Sequence, residues 1–383
     1  MKIAYCTPLI DGSGGMERVL CLKANYLVEK FGYEVYIILT DSKGKPLFFP
    51  FSEKINIINL DINYEEIWHM NFCFKIVAYS IKQMKYKQAL KKCLQKIRPD
   101  ITVSLLRRDI NFINSIHDGS IKVGEFHFNK DNYRDYRKGI PFEFVQKTAK
   151  RWGMNQLIRK VKQLRKFVVL SYEDKEKWTE LDHVSVIYNP LVISTDKAAS
   201  LTSKKVIAVG RYTYQKGFDL LIDAWKIVHE KHPDWNLNIY GNGEKDALQK
   251  QIHRLGLENR CHLHSAVSNI EDKYIESSIF VLSSRYEGFG MVIAEAMACG
   301  VPAVSFACPC GPKDIITDGK DGLLAEPENI QDLAKKLCIL IENDDIRKKM
   351  GEKARISVER FRIDKVMNQW RELFESLISA KNK

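Results

Sequence analysis

Arg285-Tyr286-Glu287-Gly288-Phe289-Gly290-Met291-Val292-Ile293-Ala294-Glu295-Ala296-Met297-Ala298-Cys299-Gly300-Val301-Pro302 decides the reading of this chain. A short β-rich apolar run, 279–283, precedes it, and helical spacing of apolar residues opens at about Met291. A loop with two glycines therefore leads from a strand into a helix start. The free N–H groups of such a start, with the positive end of the helix dipole, hold an anion such as a phosphate. That makes Gly290, Met291 and Val292 candidate ligand-binding residues. Glu287 sits on the loop. Glu295 sits about one turn inside the helix, where a carboxylate accepts two hydrogen bonds from a vicinal diol.

Working outward, a second stretch has the same strand-loop-helix form: Val209-Gly210-Arg211-Tyr212-Thr213-Tyr214-Gln215-Lys216-Gly217-Phe218-Asp219. Arg211 and Lys216 at the carboxyl end of a strand make a cationic clamp, suited to charge that develops on a departing diphosphate. A third loop, Gly12-Ser13-Gly14-Gly15-Met16-Glu17-Arg18, follows the first strand. It fails as a dinucleotide fingerprint, because Glu17 stands where Gly or Ala is needed. Gly15, lacking a Cβ, allows close approach of a ligand. Gly241-Asn242-Gly243-Glu244 and Glu125-Phe126-His127 end two further strands.

Strand and helix patterns alternate along the whole chain. Strands are expected at 3–8, 34–40, 101–106, 123–128 and 167–171, then at 206–210, 237–241, 261–264, 279–283 and 303–306. Helices are expected at 16–30, 71–96, 218–232, 244–255, 270–277 and 291–299. Such alternation implies βαβ units and parallel sheets. The pattern restarts after Asn189-Pro190, and the polar segment 192–205 reads as a linker. Two α/β, Rossmann-like, doubly wound domains are therefore expected, 1–190 and 191–364, with a helix at about 365–383 packing back on the first. Two such sheets would face a central cleft, with ligands beyond the carboxyl ends of the strands.

The two glutamates with Glu-Gly-Phe-Gly before the helix and Ala-Cys-Gly-Val-Pro after it resemble the E-x7-E signature of the retaining glycosyltransferases of family 4, which have the GT-B fold. The resemblance implies that Glu295 binds the ribose hydroxyls of a nucleotide sugar and that Glu287 lies against the donor sugar. Gly210-Arg211 through Lys216-Gly217 is similar to the family's G-R-x-x-x-x-K-G pattern, whose Arg and Lys contact the pyrophosphate. The first loop resembles the family's G-G-x-E, which approaches the donor phosphate, so Gly15 joins the donor-binding set. His127 matches a His that the family places near the donor sugar. Gly241 and Gly243 match a turn below the nucleotide, Tyr188-Asn189-Pro190 matches the interdomain hinge, and the base is expected near Ala266 and Val267 by position. Where the family usually reads G-x-x-E-I-I, this chain has Gly311-Pro312-Lys313-Asp314-Ile315-Ile316. With Asp314 in place of Glu, the resemblance does not imply that this loop touches the sugar in the usual way. The resemblance is dense over 204–325 and thin over 40–120.

Charge is unevenly spread. Residues 1–190 hold 32 Lys and Arg against 21 Asp and Glu, and the remainder 28 against 27. An anionic partner is expected on the first half, whether a membrane surface, a phosphorylated acceptor or a nucleic acid, although no nucleic-acid motif is present. Lys75, Lys82, Lys85, Lys87, Lys91, Lys92, Lys96 and Arg98 decorate one helical stretch, whose Ile81, Met84, Leu90, Leu94 and Ile97 recur roughly on one face. Lys147, Lys150, Arg151, Arg159, Lys160, Lys162, Arg165 and Lys166 form a second cluster around Trp152 and Leu157. Basic amphipathic helices of this kind lie on anionic lipid. The chain has no apolar run of membrane-spanning length and no signal peptide, and its nine scattered cysteines suit reduced thiols. A cytoplasmic protein, peripheral at the inner face of the cell membrane, is the expectation.

The resemblance thus implies a metal-independent, retaining hexosyltransferase that carries sugar from a nucleotide sugar, with UDP as carrier, to a glycan or lipid-linked acceptor in surface polysaccharide biosynthesis, with no further cofactor. No Asp-x-Asp metal site occurs in the donor motifs. The alternatives are a GT-B nucleotide-sugar 2-epimerase and, in other classes, an NAD-dependent oxidoreductase or a basic binding protein.

Overall fold

Apolar, β-branched runs flanked by glycine or polar turns become the strands of two parallel sheets, and the longer periodic segments become the helices between them. The computed structural model describes residues 1–12, 14–41, 46–133, 143–193 and 195–381. They form two compact units. Unit 1 comprises Met1–Leu170, Lys175–Pro190 and Ile363–Lys383, and unit 2 comprises Ser171–Asp174 and Leu191–Arg362.

Unit 1 runs β1 (Lys2–Cys6), α1 (Gly15–Glu29), β2 (Glu34–Leu39), β3 (Asn56–Asn59), α2 (Phe72–Ile97), β4 (Ile101–Ser104), β5 (Ile121–Glu125), α3 (Glu143–Val161), β6 (Lys166–Val169), α4 (Tyr172–Lys177) and β7 (Val184–Val186). Its parallel sheet has the order β3-β2-β1-β4-β5-β6-β7. Unit 2 runs β8 (Lys205–Val209), α5 (Phe218–Lys231), β9 (Asn236–Tyr240), α6 (Asp246–Arg254), β10 (Cys261–His264), α7 (Ile270–Ile275), β11 (Ile279–Leu282), α8 (Met291–Ala298), β12 (Ala303–Phe306), α9 (Pro312–Ile315), β13 (Gly322–Ala325), α10 (Ile330–Glu342) and α11 (Asp344–Ser357). Its order is β10-β9-β8-β11-β12-β13. In each sheet the order reverses once, between β1 and β4 and between β8 and β11. These are the switch points where loops on adjacent strands part and leave a crevice.

The last helix, α12 (Ile363–Lys381), folds into unit 1. Its Val366, Met367, Trp370, Phe374 and Leu377 are buried with β1, β2 and α1 residues such as Ile3, Tyr5, Leu20 and Ile37. Ser171–Asp174 belongs with unit 2, and the return to unit 1 begins at Ile363. The segment 192–205 is not a free linker. Leu201 is buried, and its carbonyl accepts from Arg347 Nε and Nη2 at 3.2 and 3.0 Å.

Two sequence expectations fail. Strands β3, β7 and β13 lie outside the expected set. The expected single apolar face of α2 is in fact two. Leu90, Leu94 and Ile97 are buried, whereas Ile81 and Met84 are exposed. At 100° per residue, Ile81 and Leu90 stand on opposite sides of the helix. The outward face carries Phe74, Val77, Ile81 and Met84, with Phe74 72% and Met84 59% exposed. Among the described residues no helix is long and apolar enough to cross a membrane. Ser13 and the side chain of Lys147 lie outside the described residues.

Candidate functional site

The loops after β8 and β11 leave adjacent strands, which pair in parallel through Ile279–Val206 and Phe280–Ile207. Local chemistry sews them together. Arg285 grips Asp219 through Nη1 at 2.9 Å and Nη2 at 2.6 Å, donates to the Tyr214 carbonyl at 2.8 Å, and stacks 4.0 Å from the Tyr214 ring centre. The Arg285 amide donates to the Gln215 carbonyl, the Gln215 side chain to the Tyr286 carbonyl, and the Ser283 hydroxyl to the Lys216 carbonyl. Gly217, at φ +60°, is where the strands' loops touch. A Cβ there would lie 2.1 Å from the Ser283 carbonyl oxygen.

That seam brings together two residues from separate motifs. Lys216 Nζ donates to Glu287 Oε1 at 2.6 Å, and Ser284 Oγ donates to the same oxygen at 2.6 Å. Glu287 is only 6% exposed, and its amide donates to the Pro309 carbonyl. A charged hydrogen bond of this kind contributes about 1.5–3 kcal/mol. The stem of Lys216 lies across Gly210, where an added Cβ would come within 3.1 Å of it. Arg211, the other member of the expected clamp, is exposed, so the two cations stand in different environments.

Glu295 lies on the inner side of α8, 5% exposed, and accepts from Tyr274 Oη at 3.2 Å. Tyr274, wholly buried on α7, is a residue the sequence reading missed. Its signal was a tyrosine in a short helix just before β11, which means nothing without the fold. Gly290 caps α8 in the left-handed region, φ +90°, with no side-chain acceptor on the helix start. The first-turn N–H groups of Met291 and Val292 thus keep their capacity for an anion.

Other expected residues have clear local reasons. Gly241 lets β9 approach β8, since a Cβ would lie 1.8 Å from the Gly210 carbonyl oxygen. Gly243, at φ +124°, bridges to Tyr212. Val267 is exposed beyond β10, next to Ala266, whose amide donates to Asn242 Oδ1 at 3.3 Å. Asp314 accepts from the Tyr172 amide at 2.8 Å, and Glu173 accepts from the Cys310 amide and from Lys313. The departure from Glu at Asp314 thus has a structural task, fastening 171–174 to unit 2. Burial pushes the Cys308 thiol up. The one cluster of possible metal donors among the described residues, His232, Cys338 and Glu342, shares no residue with these loops.

Gly15 and His127 belong to unit 1. Gly15 opens α1, and Glu17 folds back over Gly14. His127 lies past the end of β5, with Nε2 3.1 Å from Glu125 Oε1. Both Glu125 oxygens also accept from Lys23 Nζ at 2.6 Å, and that ammonium sits 3.7 Å from the Trp370 ring centre. Burial alone would raise the Glu125 carboxyl, but Lys23 and His127 outweigh it and hold it down at about 2. Glu125, Lys23 and Trp370 were not among the expected site residues.

With this geometry in hand, comparison with known proteins is specific. Residues 193–357 match the family Glycosyl transferases group 1. An uncharacterized glycosyltransferase of Haemophilus influenzae is 28% identical over 97% of this chain and 99% of its own. The poly(ribitol-phosphate) alpha-N-acetylglucosaminyltransferase of Staphylococcus aureus is 32% identical across 51% of this chain, which spans 40% of that relative's length. The structure of S. aureus TarM in complex with Fondaparinux, alpha-GlcNAc-glycerol and UDP aligns with a TM-score of 0.75 and 17% identity over 97% of this chain and 99% of that one. At that identity the likeness concerns the fold, the two parallel-sheet, Rossmann-like units of GT-B.

Proposed function

We propose that the chain is a group 1 glycosyltransferase that moves a sugar, with retention, from a UDP-sugar to a hydroxyl of a glycan or lipid-linked acceptor in polysaccharide biosynthesis. The observation that carries this reading is the convergence at the β8–β11 switch point: Lys216 on Glu287, Tyr274 on Glu295, and the uncapped start of α8. Glu295 accepts from the ribose hydroxyls. The Met291 and Val292 N–H groups, Lys216 and Arg211 take up the charge that grows on the diphosphate as it leaves. Glu287, anchored by Lys216 and Ser284, orients the donor sugar. The bond from the anomeric carbon to the diphosphate breaks on the face where the acceptor oxygen bonds, and the diphosphate keeps the electron pair and takes the acceptor proton. The family 4 pattern and the fixed cations support a reaction that needs no metal ion.

The UDP bound in the TarM complex supports the choice of carrier. A thermal-shift panel of UDP, GDP, ADP and NAD tests it. UDP raises Tm most, and transfer continues in EDTA. Stabilisation by NAD alone would overturn the reading, and activity lost in EDTA and restored by Mg²⁺ would overturn its metal-free part.

We also propose peripheral contact of unit 1 with anionic lipid. The 26-residue α2 contains seven lysines and no acidic residue. Its outward apolar face, continued by exposed Trp68 and Met70, supports insertion beneath a ring of exposed Lys85, Lys87, Lys91 and Lys92. A second copy is disfavoured, because it would set lysines against lysines.

A further inference from the structure

Unit 1 has its own switch point, between β1 and β4, and the residues around it are unusually short of partners. Seven buried side-chain polar atoms among the described residues make no hydrogen bond. Three of them, Thr7 Oγ1, Arg107 Nε and Asp109 Oδ2, lie just past the carboxyl ends of β1 and β4. Thr7 and Asp109 are both 1% exposed. Buried groups left like this mark a place where a ligand or water completes the bonding.

Arg107 is the informative one. It is half-buried and, among the described residues, has no carboxylate within ion-pair distance. Its contacts are soft: Nη2 lies 3.6 Å from Met16 Sδ at the start of α1, and the guanidinium carbon lies 4.6 Å from the Phe128 ring centre. Its neighbour is the contrast. Arg108 pairs with Asp41 at 2.7 Å and stacks on Tyr64. The residue before Arg107, Leu106, is held at φ +52°, a conformation leucine rarely adopts, and its carbonyl is pinned by Tyr133 Oη at 2.7 Å. Strained backbone thus aims a guanidinium that the fold leaves un-neutralised. Burial pushes its pKa down, although Tyr133, Glu17 and Asp109 oppose that shift.

We propose that the crevice between β1 and β4 is an oxyanion site, in which Arg107 holds a phosphate or carboxylate group carried by the acceptor. The fork of a guanidinium fits two oxygens of such a group, and a neutral sugar hydroxyl would leave its charge unbalanced. Thr7 and Asp109 then serve the acceptor's neighbouring hydroxyls. The inference rests on the glycosyltransferase reading, since it names the substrate class for that reaction, but it is tested apart from it.

The probes are glycerol 3-phosphate and glucuronate against glycerol and glucose, titrated calorimetrically at low salt into the full chain, with UDP titrated in parallel. The anionic probes bind the wild type and the neutral ones do not. Which anion binds tighter separates phosphate from carboxylate. Arg107→Met weakens the anionic probe at least tenfold, Arg107→Lys recovers part of it, and UDP affinity stays unchanged in both. The proposal is overturned if neither anion binds, if Arg107→Met binds the anion like the wild type, or if UDP affinity falls together with anion affinity, which would give Arg107 to the donor diphosphate. Wild-type protein that binds the anion but not UDP would sink the UDP-sugar reading and leave the oxyanion site standing.

Discussion

The two glutamates of the α8 motif are held by different partners: Glu295 accepts from the buried Tyr274 hydroxyl at 3.2 Å, and Glu287 from the Lys216 ammonium at 2.6 Å. Glu295 was marked out in the sequence, not by itself but by Glu-Gly-Phe-Gly before its helix and Ala-Cys-Gly-Val-Pro after it. Tyr274 was not, since only the packing of α7 against α8 puts its hydroxyl on the carboxylate. The same holds for Lys216 and Glu287, which were each legible but sit 71 residues apart, so their pairing depends on β8 lying beside β11. The two pairs separate binding from chemistry. Glu295→Ala weakens UDP binding by about tenfold to a hundredfold, the loss of one or two hydrogen bonds to a charged group. Tyr274→Phe has a smaller effect of the same kind. Lys216→Met lowers kcat far more than it raises the donor KM, because the charge it meets grows toward the transition state. Titration calorimetry and steady-state kinetics check these, and a Glu295→Ala protein binding UDP normally would remove Glu295 from the nucleotide site.

At the scale of elements, the strong periodic helices and the longer strands were legible from residue pattern. Three of the four edge strands, β3, β7 and β13, were not, whereas the edge strand β10 was. The face of α2 was misread. Its buried stripe and its exposed stripe are both apolar, so hydrophobicity alone does not say which side is the core. The exposed stripe carries a prediction. The protein co-sediments with vesicles containing anionic lipid, and not with neutral ones, at low salt. Replacing Phe74 and Val77 by Ser leaves charge unchanged yet reduces binding, whereas replacing Lys85, Lys87, Lys91 and Lys92 by Glu abolishes it and removes its salt sensitivity. Neither set changes UDP affinity. Full binding by the Phe74→Ser, Val77→Ser protein would show that charge alone attracts the surface and that the apolar face stays out of the bilayer.

For the molecule as a whole, unit 1 depends on a buried ionic centre that draws on α1, β5 and α12 together. Trp370→Ala removes a fully buried ring and uncovers the Lys23 ammonium, so it destabilises unit 1 by about 3–5 kcal/mol. Glu125 adds a pH dependence. Its carboxyl is held at about 2, below the ordinary ~4.3 of a glutamate in an unfolded chain. Its contribution is therefore whole above about pH 4.3 and is lost as pH falls toward 2. Denaturant melts of wild type and Glu125→Gln converge over that acid window, and UDP continues to stabilise unit 2 in both Glu125→Gln and Trp370→Ala. Melts that stay parallel down to pH 2 would show that the carboxyl is not held low.

The position of α12 matters for how the protein is made. A ribosome delivers β1 before unit 2 and α12 after it. The early sheet must then wait on the ribosome with the seat of Trp370 and Phe374 open, while the later unit can close as soon as it emerges. Nascent chains stalled before residue 363 should accordingly hold a protease-resistant second half beside a first half that chaperones still bind. A segment translated after the second unit thus completes the fold of the first.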